Sequence, residues 1–210
     1  MSIFCQYLLS NINYFKHITR RSYSNSMSQQ EIAKRIVWVD LEMTGLEIEK
    51  DHILEIACLV TNADLDIVAT GPNLIIHQPD EILNRMNTWC VAQHGESGLT
   101  EASRCSSITV QEAENQVLKF VSQHVYENRS PLAGNSVYMD RLFIRKFMPK
   151  LDSYLHYRII DVSTIKELGK RWFQKDYSKM PQKKFQHRCM SDILESVAEL
   201  KYYRENIFKK

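Results

Sequence analysis

Asp40 and Glu42 stand two residues apart in the segment WVDLEMTGL. Alternate side chains of a strand share a face, so on an extended segment these carboxylates would come within a few ångströms of each other. Beside Val39 and Leu41 such a pair is repulsive and expensive to desolvate unless a cation joins it. An all-oxygen donor set suits Mg²⁺ or Mn²⁺. Taken alone, the pair could equally be two surface acids at a solvated strand end.

Asp140 favours the first reading. It follows Ser136 by four residues near the start of an expected helix, which puts both on one face. A helix N-terminus offers free N–H groups and a dipole that favours anions, although an acid in the first turns is also a routine cap. The preceding AGNS loop allows close backbone approach. His187 and Asp192 supply a third element, HRCMSD. Five residues turn a helix by about 500°, so the two would not share a helical face. His187 is therefore expected on the loop before a helix, with Asp192 in its first turn. A histidine beside metal carboxylates suits a general base toward water, although a lone histidine on a polar loop is usually a bystander.

These residues must be carried by an α/β domain. Ile36–Val39 and Ile53–Val60 read as strands, with Asn62-Ala63-Asp64 as a turn. Asp66–Ala69 and Leu74–Ile76 complete an antiparallel meander, broken at Gly71-Pro72. After Pro79 the pattern turns helical through Ile82, Leu83 and Met86, then Trp89 and Cys90. Val110–Val125 is a longer helix. Pro131–Gly134 and Arg158–Ile160 are short strands, and Tyr138–Phe147 is a helix stopped by Pro149. Thr164 and Glu167 suggest a capping box for the next helix. Met180–Gln186 is a Lys-rich loop. Residues 190–204 form a last helix with Ile193, Val197 and Leu200 inward. The expectation is a mixed central sheet flanked by helices.

Charge narrows the partners. The chain has 210 residues and a formal net charge of +2, and 44% of its residues are hydrophobic, which is ordinary globular usage. Of its 27 basic residues, Lys16, Arg20 and Arg21 lie in residues 1–30, which hold no acid; the remainder carries 24 basic residues against 25 acidic ones. A protein that grips long nucleic acid needs a basic footprint, and this body lacks one. Any nucleic-acid substrate is expected to be short and held by a few local contacts. Residues 1–30 have the composition of a mitochondrial targeting peptide, with a disordered extension as the alternative, and residues 31–210 are expected to form the folded domain. Met27 could serve as a second start, giving a cytoplasmic or nuclear form. No run approaches the roughly 18 apolar residues that a membrane span requires, so no membrane partner is expected. Cys5, Cys58, Cys90, Cys105 and Cys189 are odd in number and widely spaced, which argues for reduced, mostly buried thiols.

The segments WVDLEMTGL, DHILEIACLVT, GPNLIIHQPDE, SGLT, AGNSVYMDRLF, HYRIIDVSTIKEL and ELKYYRENIF cover nearly all of residues 36–208. Through them the chain resembles the oligoribonucleases, 3′→5′ exoribonucleases of the DEDD superfamily in the subgroup with a histidine base. The resemblance implies a ribonuclease H-like fold, a homodimer and two divalent ions, Mg²⁺ or Mn²⁺. It implies hydrolysis of short RNA oligonucleotides, chiefly dinucleotides, to 5′-mononucleotides. Residue by residue, it implies Asp40, Glu42, Asp140 and Asp192 as metal carboxylates and His187 as the base. Leu46 would wedge against a base, with Trp89 and His94 lining that side of the pocket. Ser136, Arg158 and Ser163 would cap the 5′ phosphate, and Tyr157 would reach the partner subunit's active site. Two positions depart from the family pattern: Cys189 stands where it has an alanine, and Ser191 where it has an acid. The alternatives are a DEDD exonuclease acting on longer RNA or DNA, and a catalytically silent nucleotide-binding homologue.

Overall fold

Strands β1 (Ile36–Met43), β2 (Ile53–Thr61) and β3 (Ile67–Ile75) form the expected antiparallel meander. β4 (Leu132–Gly134) joins β1 in parallel, and β5 (Ile159–Asp161) joins β4 likewise, giving the order β3-β2-β1-β4-β5. Helices α1 (Asp80–Leu83), α2 (Thr88–Glu96), α3 (Leu99–Cys105) and α4 (Val110–His124) lead from β3 to β4. α5 (Val137–Phe147) and α6 (Pro149–Tyr154) lead to β5, and α7 (Val162–Trp172), α8 (Gln174–Tyr177) and α9 (Cys189–Asn206) follow it. This computed structural model describes residues 29–181 and 188–208. The expected targeting segment therefore lies almost wholly, and His187 entirely, outside the described residues.

β1 is central because both its faces are buried. Val37, Val39 and Leu41 enter one core with Ala113, Val117 and Val121 of α4 and Phe143 and Ile144 of α5. Ile36 and Trp38 enter a second core with Cys189, Ile193, Val197 and Leu200 of α9. Alternation along β1 then puts Asp40 and Glu42 on the α9 face, in line with Trp38. β1, β4 and β5 run parallel, so their C-terminal ends share one edge of the sheet. Ligands of open α/β sheets bind at such an edge. α5 and α7 start there, with Ser136 at the N-cap position of α5 and the Asp161 carboxylate capping α7.

Three local expectations need correction. β3 is continuous through Gly71-Pro72; the register slips there, with Ala57 opposite Asn73 and Leu59 opposite Thr70. An edge strand tolerates a proline at such a bulge because one side of its ladder is unpaired. Gly71 is needed because a Cβ would strike the Cys58 sulfur and the Phe120 ring. The helical stretch after Pro79 is two helices, because the Asn87 side chain accepts a hydrogen bond from Cys90 N at 2.9 Å and starts α2 afresh. Thr164 and Glu167 form no capping box. α7 begins at Val162, and the Asp161 carboxylate caps it by accepting from Ser163 N at 2.9 Å. Glu167 instead pairs with Lys170 and Arg171.

Candidate active site

Asp40 and Glu42 lie within the last four residues of β1. Their carboxylate oxygens and the Cys189 sulfur at the start of α9 all lie within 4.8 Å of one another. Asp140 arrives from the first turns of α5, and its Oδ1 accepts from Leu41 N at 2.9 Å. It is thus tied to the backbone between the two β1 acids, which is more than a capping role. Asp192 stands in the first turn of α9, as expected.

The electrostatics show how crowded these acids are. Burial raises the Asp40 carboxyl well above the usual carboxylate range, and Asp140, Glu42 and Asp192 raise it further. A hydrogen bond from Cys189 works the other way. Glu42 is pushed up to about 8, first by burial and then by Asp192, Glu55 and Asp140. Asp140 is pushed up to about 7 by burial, despite the N–H of Leu41. Asp192 is therefore within electrostatic reach of both β1 acids. Among the described residues, no lysine or arginine forms an ion pair with Asp40, Glu42 or Asp140. Hard oxygen donors that repel one another, with Arg188 easing Glu42 less than burial and the surrounding acids raise it, fit a divalent cation, which would lower all these pKa values at once.

Glu55 is a residue that sequence reasoning missed. It pairs with Glu42 in the β1–β2 register and is fully buried. Arg188 reaches it with Nε at 3.0 Å and Nη2 at 3.1 Å, a bidentate grip. Arg188 is the N-cap of α9, so this pair ties the start of that helix to the sheet beside the carboxylates. The available signal was a single acid inside the apolar run ILEIACLVT, because a buried charge requires a partner. Glu55→Gln should cost about 2 kcal/mol in urea unfolding, less than a wholly buried pair because Arg188 keeps part of its hydration. An unchanged unfolding midpoint would show that the pair does not hold α9.

The remaining expected residues fall into three groups. Ser136 and Ser163 do meet. Their hydroxyls are 3.1 Å apart, and Ser136 N donates to both Ser163 Oγ at 2.9 Å and Asp161 Oδ1 at 3.0 Å. Ser136 takes up the left-handed backbone conformation at φ 52°, which turns its N–H toward them. Asn135 locks this corner to α9, accepting from Ser163 Oγ and donating to Ser196 and Glu199. Tyr157 and Arg158 precede β5, both exposed, with the guanidinium 5.0 Å from the Tyr157 ring centre. Leu46 and Trp89 are 64% and 60% exposed. Leu46 sits on a loop built around Asp51, whose carboxylate accepts from Thr44 Oγ1 at 2.9 Å and Glu47 N at 2.8 Å. Gly45 is required there because any Cβ would collide with that carboxylate. His94 is buried; its Nε2 bonds the Met43 carbonyl at 2.9 Å, and its Nδ1 is 4.0 Å from Glu42. Cys58, Cys90 and Cys189 are free and buried as expected, whereas Cys105 is exposed.

Residues 37–200 match the exonuclease family RNase_T. Among solved structures, an exonuclease I aligns with a TM-score of 0.64 at 10% identity, covering 83% of this chain and 41% of that one. Escherichia coli exonuclease I bound to a dA16 oligonucleotide aligns at 0.65 and 11% identity, with the same coverage. This chain therefore spans less than half of those proteins, and at such identity the likeness concerns the fold. The sheet order, the flanking helices and the family match define an exonuclease with a ribonuclease H-like fold. Over 181 residues the chain is 56% identical to the mitochondrial oligoribonucleases of Homo sapiens and Mus musculus, covering 86% of this chain and 76% of each relative. It is 49% identical to the probable oligoribonuclease of Drosophila melanogaster over 193 residues, 92% of each chain. The chain belongs to the oligoribonuclease family.

Proposed function

We propose that this chain removes nucleotides from the 3′ end of short oligoribonucleotides, chiefly dinucleotides, releasing 5′-mononucleotides with the help of two divalent ions, Mg²⁺ or Mn²⁺. The crowding of Asp40, Glu42 and Asp140 within the field of Asp192, in a member of this family, carries the reading. These four carboxylates would hold the ions. Bound there, the ions would supply the Lewis acidity that makes water a nucleophile and the charge that stabilises the departing 3′ oxygen. His187 would accept the proton of the attacking water. The new bond forms from water oxygen to phosphorus, the bond from phosphorus to the 3′ oxygen breaks, and that oxygen leaves with a proton.

The rest of the chain would set substrate length. Ser136 and Ser163 would turn their hydroxyl protons from each other and from Asn135 toward a 5′ phosphate, and the Arg158 guanidinium suits bidentate phosphate contact. Leu46 would wedge against a base, with Trp89 and His94 beside it. A pocket closed at the 5′ end admits only a short chain, which agrees with a body carrying no basic excess. Exposed Tyr157 would complete the site of a second copy, making the enzyme a homodimer. No helix among the described residues is long and apolar enough to cross a membrane. The acid-free segment at residues 1–30 and the relatives named mitochondrial support delivery to mitochondria.

One assay tests this reading. With Mn²⁺, turnover on a labelled RNA dinucleotide should exceed that on a twenty-mer, and His187→Ala should lower it by about 10²–10⁴-fold while Mn²⁺ binding persists. Faster cleavage of the twenty-mer would favour an exonuclease of longer substrates. Near-normal turnover by His187→Ala would remove that histidine from the mechanism.

A further inference from the structure

Cys189 places a sulfur donor among the oxygen donors of the carboxylate cluster. It is the first residue of α9 and is fully buried, with Asp192 three residues further along the same helix. Side chains at that spacing are neighbours on the helix surface. Its Sγ and one oxygen each from Asp40 and Glu42 form a triangle with no side longer than 4.8 Å. An ion at the centre of such a triangle would stand at most about 2.8 Å from each corner. Zinc bonds sulfur at about 2.3 Å and carboxylate oxygen at about 2.0–2.2 Å, so movements of well under 1 Å per side chain close the site. Mg²⁺ has little use for a thiolate, whereas Zn²⁺ and Cd²⁺ prefer one.

We propose that Cys189, Asp40 and Glu42 form a mixed thiolate–carboxylate site that captures a thiophilic divalent ion such as Zn²⁺ or Cd²⁺ and thereby silences the enzyme. As the metal–sulfur bond forms, the S–H bond, which in the metal-free chain donates to Asp40, breaks and its proton passes to solvent; nothing is oxidised or reduced. Asp40 and Glu42 are then drawn into a compact set that competes with the hard ions needed for hydrolysis. The inference rests on the proposed metal-binding role of those two acids, but its primary readout is spectroscopic and independent of turnover.

The test is a Cd²⁺ titration of the metal-free full chain, followed by the ultraviolet thiolate-to-cadmium charge-transfer band. Cys189→Ala and Cys189→Ser keep the other four thiols and serve as comparators, with circular dichroism checking that each is folded. The wild type should show a saturable band that both variants lack. The Cd²⁺ concentration that halves Mn²⁺-supported hydrolysis should rise at least about 10-fold in both. Equal bands and equal inhibition in wild type and variants would overturn the proposal. A Cys189-dependent band in a chain without ribonuclease activity would uphold the site and sink the functional reading. Hydrolysis without such a band would do the reverse.

Discussion

Asp40→Asn is expected to cut turnover on a dinucleotide by at least about 1,000-fold and, at the same time, to raise the melting temperature of the metal-free protein. The loss follows from geometry. Asp40 is the acid on which Glu42, Asp140 and Asp192 all act, so its removal opens the donor set at its middle. The gain in stability follows from linkage. Unfolded carboxylates titrate near 4, whereas Glu42 is pushed up to about 8 and Asp140 to about 7 in the folded chain. Between about pH 4 and pH 8 the metal-free native state therefore holds more protons than the unfolded chain. Its stability falls as pH rises through that window. The penalty is absent below pH 4, where both states are protonated, and complete above pH 8. Asparagine removes a group whose ionisation the folded chain resists, so the melting temperature in chelator should rise by several degrees at pH 8 and hardly at all at pH 3, where the Asp40 carboxyl is protonated in both states, at about 2–4 °C per kcal/mol. Added Mn²⁺ should stabilise the wild type far more than the variant at pH 8. Thermal melts at both pH values, with and without Mn²⁺, check the whole pattern. A variant that melts like the wild type at pH 8 and turns over within tenfold of it would refute the assignment of Asp40.

The site was legible in the sequence wherever one local rule sufficed. Strand alternation alone puts Asp40 and Glu42 on one face, and helical patterning alone puts Asp192 in the first turn of α9. The rest depended on tertiary register. Glu55 reads as an oddity in an apolar strand until β2 is laid beside β1, and its partner Arg188 is 133 residues away. Thr164 and Glu167 match a capping pattern, but β5 ends at Asp161, whose carboxylate already meets the N–H groups of Ser136 and Ser163. Gly71-Pro72 looks like a strand break unless β3 is known to be an edge. The contact of His94 with the Met43 carbonyl likewise exists only once helix α2 docks beside β1. In each case the local signal was present, and the choice among its meanings was made by an element distant along the chain.

Removing divalent ions is expected to have the largest effect of all. At neutral pH the metal-free cluster combines carboxylates that repel one another with carboxyls that hold protons, and either form is a poor host for a phosphodiester anion. The most direct measurement is product analysis on an RNA dinucleotide by the full chain, in Mn²⁺ and in chelator. The account predicts two 5′-mononucleotides from a 5′-phosphorylated dinucleotide with Mn²⁺, and a rate at least about 10⁴-fold lower without it. Equal release of mononucleotide in chelator would contradict it.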